Sequence, residues 1–281
     1  MKKSIGVDVG GTKIEAVLID SKLKVIRSAK VKTPKANKEL IEAITIAIRE
    51  AKGTEKINSI GLGIAGFVQG NTVISSPNIP CIKNFRPAGK LKKKFRCSVV
   101  LENDANMFAF GEWLARKKPS SLAAVTAGTG IGCGVIDSGK LVKGKGIASE
   151  LGHSIIGCEN GKPESFENLA AGKALVKRAE KNGLKTKSAK EVAESKSNAA
   201  REAIRETGHW LGIGLANCAN SFDPEIIVLG GGLSEIPLIE SEAKKEMNKH
   251  LVVKNRCKLV LPKLKHNSAA FGAAAYSLRL K

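Results

Sequence analysis

The sequence predicts an α/β fold of two related domains, and three observations predict it. An apolar stretch runs into Gly6-Val7-Asp8-Val9-Gly10-Gly11-Thr12-Lys13 and returns through Ile14–Ile19, which reads as a β-hairpin with a glycine tip. Residues Ala123–Leu141 repeat the pattern: a strand at Ala123–Thr126, the tip Gly128-Thr129-Gly130-Ile131-Gly132, and a strand at Cys133–Ile136. Even the exits correspond, Ile19-Asp20-Ser21-Lys22-Leu23 against Ile136-Asp137-Ser138-Gly139-Lys140-Leu141. A third glycine cluster, Gly230-Gly231-Gly232, follows the apolar strand Ile226–Leu229. Two copies are too few for a solenoid, so the repeat implies two α/β domains facing one another across a cleft. In open α/β sheets ligands collect beyond the carboxyl ends of strands, where the third cluster falls.

The elements follow in order. Strands at Ser4–Val9, Ile14–Ile19 and Val25–Lys30 form a meander. A helix is expected over Asn37–Lys52, because Leu40, Ile41, Ile44, Ala47 and Ile48 fall on one face. Ser59–Ile64 is a continuous apolar strand, and Val99–Glu102 a short one that ends at Glu102-Asn103-Asp104-Ala105-Asn106. A helix over Ala105–Lys117 leads into the second copy of the hairpin. Beyond it, Ser188–Asn220 holds a long helical stretch containing His209-Trp210-Leu211-Gly212-Ile213-Gly214, and Ser268–Leu280 closes the chain as a helix.

Composition narrows the function. The net charge is +21, yet the lysines are dispersed, with dense runs only at Lys90–Arg96 and Lys173–Lys196. Aromatic residues make up 4% of the chain, which leaves few platforms for stacking bases, so no specific nucleic-acid partner is expected. The charge reads as a solvated lysine-rich surface, the other readings being weak nucleic-acid attraction and an anionic polymer such as polyphosphate as phosphoryl donor. No apolar run approaches the ~20 residues that cross a bilayer, so no membrane partner is expected. Met1-Lys2-Lys3 leads straight into a strand, without the pattern of a signal peptide. Six scattered cysteines, Cys81, Cys97, Cys133, Cys158, Cys218 and Cys257, look like reduced thiols of a cytoplasmic protein.

A tight glycine turn aims backbone N–H groups at an anion, and a carboxylate beside it can hold a hydrated metal ion. The first motif returns into a strand instead of starting a helix, so it is not a Walker-type phosphate loop. Three such turns, at Gly10-Gly11, Gly128–Gly130 and Gly230-Gly231, can wrap a nucleoside polyphosphate without a basic side chain.

The chain resembles the ROK group of sugar kinases, within the actin–hexokinase–Hsp70 ATPase superfamily. The matching pieces are Asp8–Lys13, Gly61-Leu62-Gly63-Ile64-Ala65-Gly66, Pro77-Asn78, Glu102–Asn106, Gly128–Gly132, Glu150-Leu151-Gly152-His153 and Gly230–Gly232. Each is weak alone; all seven stand in the family's order. The resemblance implies two related ribonuclease-H-like α/β domains with a cleft between them, the actin-like ATPase fold. It divides the chain at residues 1–112 and 113–267, with the helix 268–281 completing the first domain and the connecting segments forming a hinge. It also implies roles. Asp104 is the general base, the alternative being that it only caps the following helix. Asp8 acts on Mg²⁺, through water, while Gly10, Gly11, Thr12 and Lys13 approach the transferring phosphate. Gly128, Thr129 and Gly130 bind the β-phosphate, and Gly230 and Gly231 line the adenosine side. Gly66, Asn78, Asn103, Asp104, Glu150, His153 and Glu167 recognise the sugar. Of the other histidines, His209 reads as surface packing, while His250 and His266 have no recognisable context.

One segment departs from the family. ROK kinases usually carry a structural zinc site of pattern Cys-x-Cys-Gly-x-x-Gly-Cys-x-Glu, closed by the preceding His. Here the segment reads Cys158-Glu159-Asn160-Gly161-Lys162-Pro163-Glu164-Ser165-Phe166-Glu167, with Asn160 and Ser165 in place of two thiols. One thiolate and one imidazole do not make a closed four-ligand set, so zinc is not expected, and His153 and Glu167 are expected to be held less securely. The expectation for the chain is an ATP- and Mg²⁺-dependent hexose kinase, a glucokinase acting on the 6-hydroxyl, with the sugar and ATP as partners and a homodimer allowed. The other readings are an N-acylhexosamine kinase, a fructokinase, a polyphosphate-dependent glucokinase and a non-catalytic sugar sensor. The repressors of the family carry a helix-turn-helix domain before the phosphate hairpin; because the hairpin here starts at once, a repressor is not expected.

Overall fold

The computed structural model describes residues 1–264 and 268–279; His266 and residues 280 and 281 of the expected closing segment lie outside the described residues. Chain order begins β1 (Lys3–Val9), β2 (Lys13–Asp20), β3 (Val25–Lys32), α1 (Asn37–Lys52), β4 (Ser59–Ile64), β5 (Phe67–Gln69), β6 (Thr72–Ser75) and β7 (Lys83–Phe85). Next come α2 (Pro87–Phe95), β8 (Ser98–Asn103), α3 (Asp104–Ala115), β9 (Ser121–Ala127), β10 (Ile131–Asp137), β11 (Lys140–Leu141), β12 (Ile155–Glu159), β13 (Lys162–Ser165) and α4 (Phe166–Ala170). The order ends with α5 (Gly172–Lys181), α6 (Ala189–Glu194), α7 (Asn198–Phe222), β14 (Ile226–Gly230), α8 (Pro237–His250), β15 (Lys258–Val260) and α9 (Ser268–Arg279). The chain forms two compact units, Met1–Lys118 with Lys140–Ala148 and Lys263–Lys281, and Pro119–Gly139 with Ser149–Pro262.

In the first unit the sheet order is β3-β2-β1-β4-β8. The β3-β2-β1 part is an antiparallel meander, whereas β4 and β8 add in parallel. β4 is buried along its whole length, as a strand covered on both faces must be. α1 turns Leu40, Ala43, Ile44, Ala47, Ile48 and Ala51 inward, and the core beneath it holds Ile5, Val7, Val9, Ile14 and Ile60. The other cover is α9, which comes unusually close. A Cβ on Gly6 or Gly61 would run into the carbonyls of Ala270 or Ala273, and Gly272 lies against the backbone of Met107 and Gly111 on α3. The buried carboxylate of Glu112 fixes this return, accepting from Lys263 N (2.9 Å), Leu264 N (3.0 Å) and Ser268 Oγ (2.7 Å), and pairing with Arg116. Ser4, Ser59 and Ser277 join their hydroxyls in the interior, at 2.6 and 3.0 Å from Ser277 Oγ.

The second unit runs β10-β9-β14-β15, with β9 antiparallel to β10, and β14 parallel to both β9 and β15. That is the pattern of β2-β1-β4-β8, so the repeat read at the hairpins extends to the sheet topology. The long helical stretch expected from Ser188 is divided. Ser188 Oγ caps α6 by accepting from Glu191 N (3.2 Å), and Ser197 Oγ caps α7 by accepting from Ala200 N (3.1 Å). A serine that starts a second helix interrupts the first, because its side chain competes for backbone N–H groups. The three-stranded sheet β5-β6-β7 and helix α2 have no counterpart in the sequence reading. α2 presents only Pro87 and Leu91 to the interior among its lysines, too little apolar periodicity to read.

Candidate active site

In the first unit the candidate residues gather around the β1–β2 hairpin. Val9 pairs with Ile14, and Gly10 N donates to Lys13 O at 3.1 Å, leaving Gly11, Thr12 and Lys13 exposed at the tip. Thr33 pins this tip, its hydroxyl donating to Gly10 O at 2.7 Å and its N–H to Thr12 O at 3.1 Å. A Cβ on Gly11 would lie 2.5 Å from Asn78 O, so the Asn78 backbone packs directly on the tip. Asp8 stands opposite Glu15 on β2 and beside Gly63 on β4, and directly paired residues share a sheet face. Gly63 leaves room for a second carboxyl residue: its Cβ would lie only 3.4 Å from Asp104 Cα and 3.2 Å from Met107 Cγ.

The electrostatics follow. Burial raises Asp8 to about 7, the charges of Asp104 and Glu15 add to the rise, and Lys13 offsets part of it. Burial likewise raises Asp104 to about 6, against the backbone N–H groups of Ala105 and Asp104 itself. At neutral pH Asp104 is therefore mostly ionised yet retains proton affinity, as a general base requires. Asn103, not Asp104, caps α3. Asn103 Oδ1 accepts from Ala105 N (2.8 Å) and Asn106 N (3.1 Å), while its Nδ2 donates to Gly66 O (3.0 Å). The helix-capping alternative for Asp104 is thus already filled by its neighbour. Glu102, buried behind this turn, was not singled out from the sequence, yet its Oε1 accepts from Asn103 N (3.0 Å) and Asn106 Nδ2 (3.1 Å).

The second unit gathers the other expected residues around the Gly128-Thr129-Gly130 tip between β9 and β10. Gly128 N donates to Gly130 O (2.9 Å), and Gly172 N at the start of α5 donates to Gly128 O (2.8 Å). Glu167 braces the tip, its Oε2 accepting from Ile131 N at 2.9 Å. The turn Leu151–His153 packs Gly152 against Ile131 O, and His153 Nε2 lies 4.0 Å from Glu150 Oε2. Gly130, Glu150, His153 and Glu167 are thereby brought together. Gly230 ends β14, and Gly231 follows with φ of 85°, its Cα tight against the Ala127 backbone, a conformation open to glycine. A cavity of about 870 Å³ opens beside them, lined by Gly128, Thr129, Gly172, Lys173, Gly232 and Leu233 among others. Gly232, rather than Gly230 or Gly231, reaches this cavity. The α5 and α6 residues lining it, such as Lys173 and Lys190, fall in the dense run Lys173–Lys196 that the sequence reads first as solvated surface.

Two metals call for a fit test. The Asp8–Asp104–Glu15 group offers carboxylate oxygens only, and a divalent cation would offset the burial and the carboxylate repulsion that raise Asp8. Among the described residues no three His, Cys, Asp or Glu side chains converge to close a direct metal shell. Zinc does not fit the second unit. The positions where two family thiols would stand have structural work instead: Asn160 and Gly161, with φ of 51° and 75°, make the β12–β13 turn, and Ser165 Oγ caps α4 by accepting from Asn168 N (3.2 Å). Cys158 is exposed on β12, and Gly157 beside it packs on Trp210. Glu167 is tied instead to the hairpin by its bond to Ile131 N.

The ROK family model matches residues 4–279. The glucokinase of Streptomyces coelicolor is 33% identical over 267 residues, 84% of this chain and 83% of that protein. The N-acetyl-D-glucosamine kinase of Aliivibrio fischeri is 33% identical over 303 residues, 98% of this chain and 99% of that protein. Among solved structures, a ROK family glucokinase from Streptomyces griseus in complex with glucose and AMPPNP matches with a TM-score of 0.84 at 28% identity, over 99% of both chains.

Proposed function

The chain belongs to the ROK family, with the actin-like ATPase fold of its sugar phosphotransferases, and from that premise we propose an ATP-dependent hexose kinase that phosphorylates the 6-hydroxyl of glucose. The observation that carries the reading is Asp104: a carboxylate raised to about 6, set at the start of α3 beside Asp8, with the helix cap already supplied by Asn103. Asp104 accepts the proton of the sugar hydroxyl as it attacks, a contribution of about 10²–10⁴ in rate for a positioned base. Thr12 and Lys13, on the tip held by Thr33, approach the transferred phosphoryl group together with the backbone of Gly10 and Gly11. Gly128, Thr129 and Gly130 bind the β-phosphate, with the nucleoside in the adjoining cavity, which Gly232 lines and toward which Gly230 and Gly231 lead the chain from β14. Asn78, Asn103, Glu150, His153 and the Gly66 carbonyl recognise the sugar hydroxyls. Glu167 serves twice, bracing the hairpin and contributing to the sugar subsite. Mg²⁺, when bound through water to Asp8, neutralises charge that develops on the polyphosphate.

A second reading is supported by the Aliivibrio fischeri relative, which spans more of this chain than the Streptomyces coelicolor one: the acceptor is an N-acylhexosamine. The protein is proposed to work in the cytoplasm; no helix among the described residues is long and apolar enough to cross a membrane. The test is a coupled phosphoryl-transfer assay with Mg-ATP against glucose, mannose, fructose, N-acetylglucosamine and N-acetylmannosamine. Turnover best on glucose supports the first reading, and turnover best on an acetylated sugar replaces it with the second. Fructose preference makes a fructokinase. Transfer from polyphosphate but not ATP changes the donor, and sugar binding without transfer by either leaves a sensor.

A further inference from the structure

The segment Lys140–Ala148 leaves the second unit and lies in the first, between Gly139 and Ser149 in the chain. Two contacts seat it there. A Cβ on Gly146 would lie 2.6 Å from Val68 O, so the turn rests on the backbone of β5, and Gly146 N donates to Lys143 O at 2.8 Å to hold that turn closed. Lys143 then reaches inward, its Nζ 2.5 Å from Glu102 Oε2. Glu102 is 3% exposed and its other oxygen holds Asn103 N and Asn106 Nδ2, the groups on either side of Asp104. Asn103 in turn caps α3 and ties it to Gly66. A continuous polar chain therefore runs from Lys143 through Glu102 to the first turn of the helix that begins with the proposed base. Although burial opposes the charge on Lys143, its hydrogen bond and charge interaction with Glu102, together with the Tyr276 hydroxyl, raise its pKa, so it is a cation throughout the neutral range.

We propose that Lys143 is a positioning residue for Asp104, acting through Glu102: the ammonium fixes the Glu102 carboxylate, and that carboxylate fixes the turn Asn103–Asn106. The proposal rests on the hexose kinase reading for its kinetic consequence, but not for its structural one. The segment carrying Lys143 connects two pieces of the second unit, yet it is assigned to the first together with Glu102. A lysine at this place reads in sequence as one more solvated charge among 47 basic residues, and only the fold brings it to Glu102, 41 positions away.

The full chain carrying Lys143→Met, Lys143→Arg or Glu102→Gln is compared with wild type by hydrogen exchange and by phosphoryl transfer to the preferred sugar. In Lys143→Met the amides of residues 103–106 should exchange about tenfold faster or more, and Lys143→Arg should restore most of their protection. kcat should fall about tenfold or more, since small displacements of a reacting group cost that much, while KM for the nucleotide stays within about twofold. Added to Asp104→Asn, Lys143→Met should cost little further, because residues acting as one unit are not additive. Unchanged exchange at 103–106 in Lys143→Met overturns the proposal whatever the activity. Fully additive losses in the double variant overturn the route through Asp104, leaving a stabilising ion pair. A wild type that phosphorylates no sugar removes the kinase reading, and the exchange comparison still decides the clamp.

Discussion

Replacing Asp104 by Asn separates what the carboxylate does for catalysis from what it costs the fold. The rise from 3.8 to about 6 corresponds to about 3 kcal/mol set against the ionised native state, at ~1.36 kcal/mol for each decade of affinity. The sign follows from proton counting. Between pH 3.8 and about 6 the native protein holds a proton that the unfolded chain has released, so stability falls as pH rises through that window and stays lowered above it. Asn cannot ionise, so Asp104→Asn should match wild type near pH 4 and exceed it by up to about 3 kcal/mol at pH 8. Its kcat should fall by about 10²–10⁴. In wild type at saturating Mg²⁺, which keeps Asp8 ionised, kcat/KM should decline with unit slope below pH of about 6 as the base takes up its proton. Urea unfolding at pH 4.5, 6 and 8, run beside the kinetic pH profile, makes both measurements. A variant that keeps wild-type turnover, or one that is less stable than wild type at pH 8, would refute the assignment of Asp104 as a desolvated base.

Four further outcomes are expected. Asp8, at about 7, should lose its proton when a cation binds, so titrating Mg²⁺ into the protein at pH 7 should release about half a proton, read by calorimetry in buffers of different ionisation heat. Asp8→Asn should abolish that release. Gly63→Ala places a methyl group 3.2–3.4 Å from Met107 and Asp104 Cα; it should cost about 1–3 kcal/mol and lower kcat more than sugar affinity. Gly272→Ala, which meets backbone atoms of Met107 and Gly111 that cannot move singly, should destabilise by about 3 kcal/mol or more in urea while leaving sugar specificity unchanged. Elemental analysis should find no stoichiometric zinc, and a chelator should leave the melting temperature unmoved; one zinc per chain would show that the Asn160–Gly161 hairpin does not replace the metal.

Much of the site was legible because its parts are local. A glycine tip between two apolar strands is a property of a dozen consecutive residues, and both tips stand where the pattern put them. The same holds for α1, whose limits Asn37–Lys52 follow from helical spacing alone, and for β4 at Ser59–Ile64. Several misses share a cause. α2 buries two residues, β5 to β7 are three or four residues each, and the α6–α7 break depends on which of several serines captures a backbone N–H. Short or weakly apolar elements draw their stability from neighbours that sequence spacing does not reveal.

The amino-acid order by itself determined the repeat, the two glycine hairpins, the acidic turn at Glu102–Asn106 and the replacement of two family thiols by Asn160 and Ser165. Only the tertiary structure decided what those residues do to one another. The parallel register of β1 with β4 sets Asp8 beside Gly63, and the absent side chain there admits Asp104 to the same small volume. The close packing of α9 on Gly6 and Gly61 closes the sheet beneath them. Proton affinity depends on solvent exclusion and on charges within a few ångströms, which are set by packing between residues far apart in sequence. For that reason the carboxylates could be named from the chain, but their raised pKa values, the Glu167 brace on Ile131 and the reach of Lys143 to Glu102 could not.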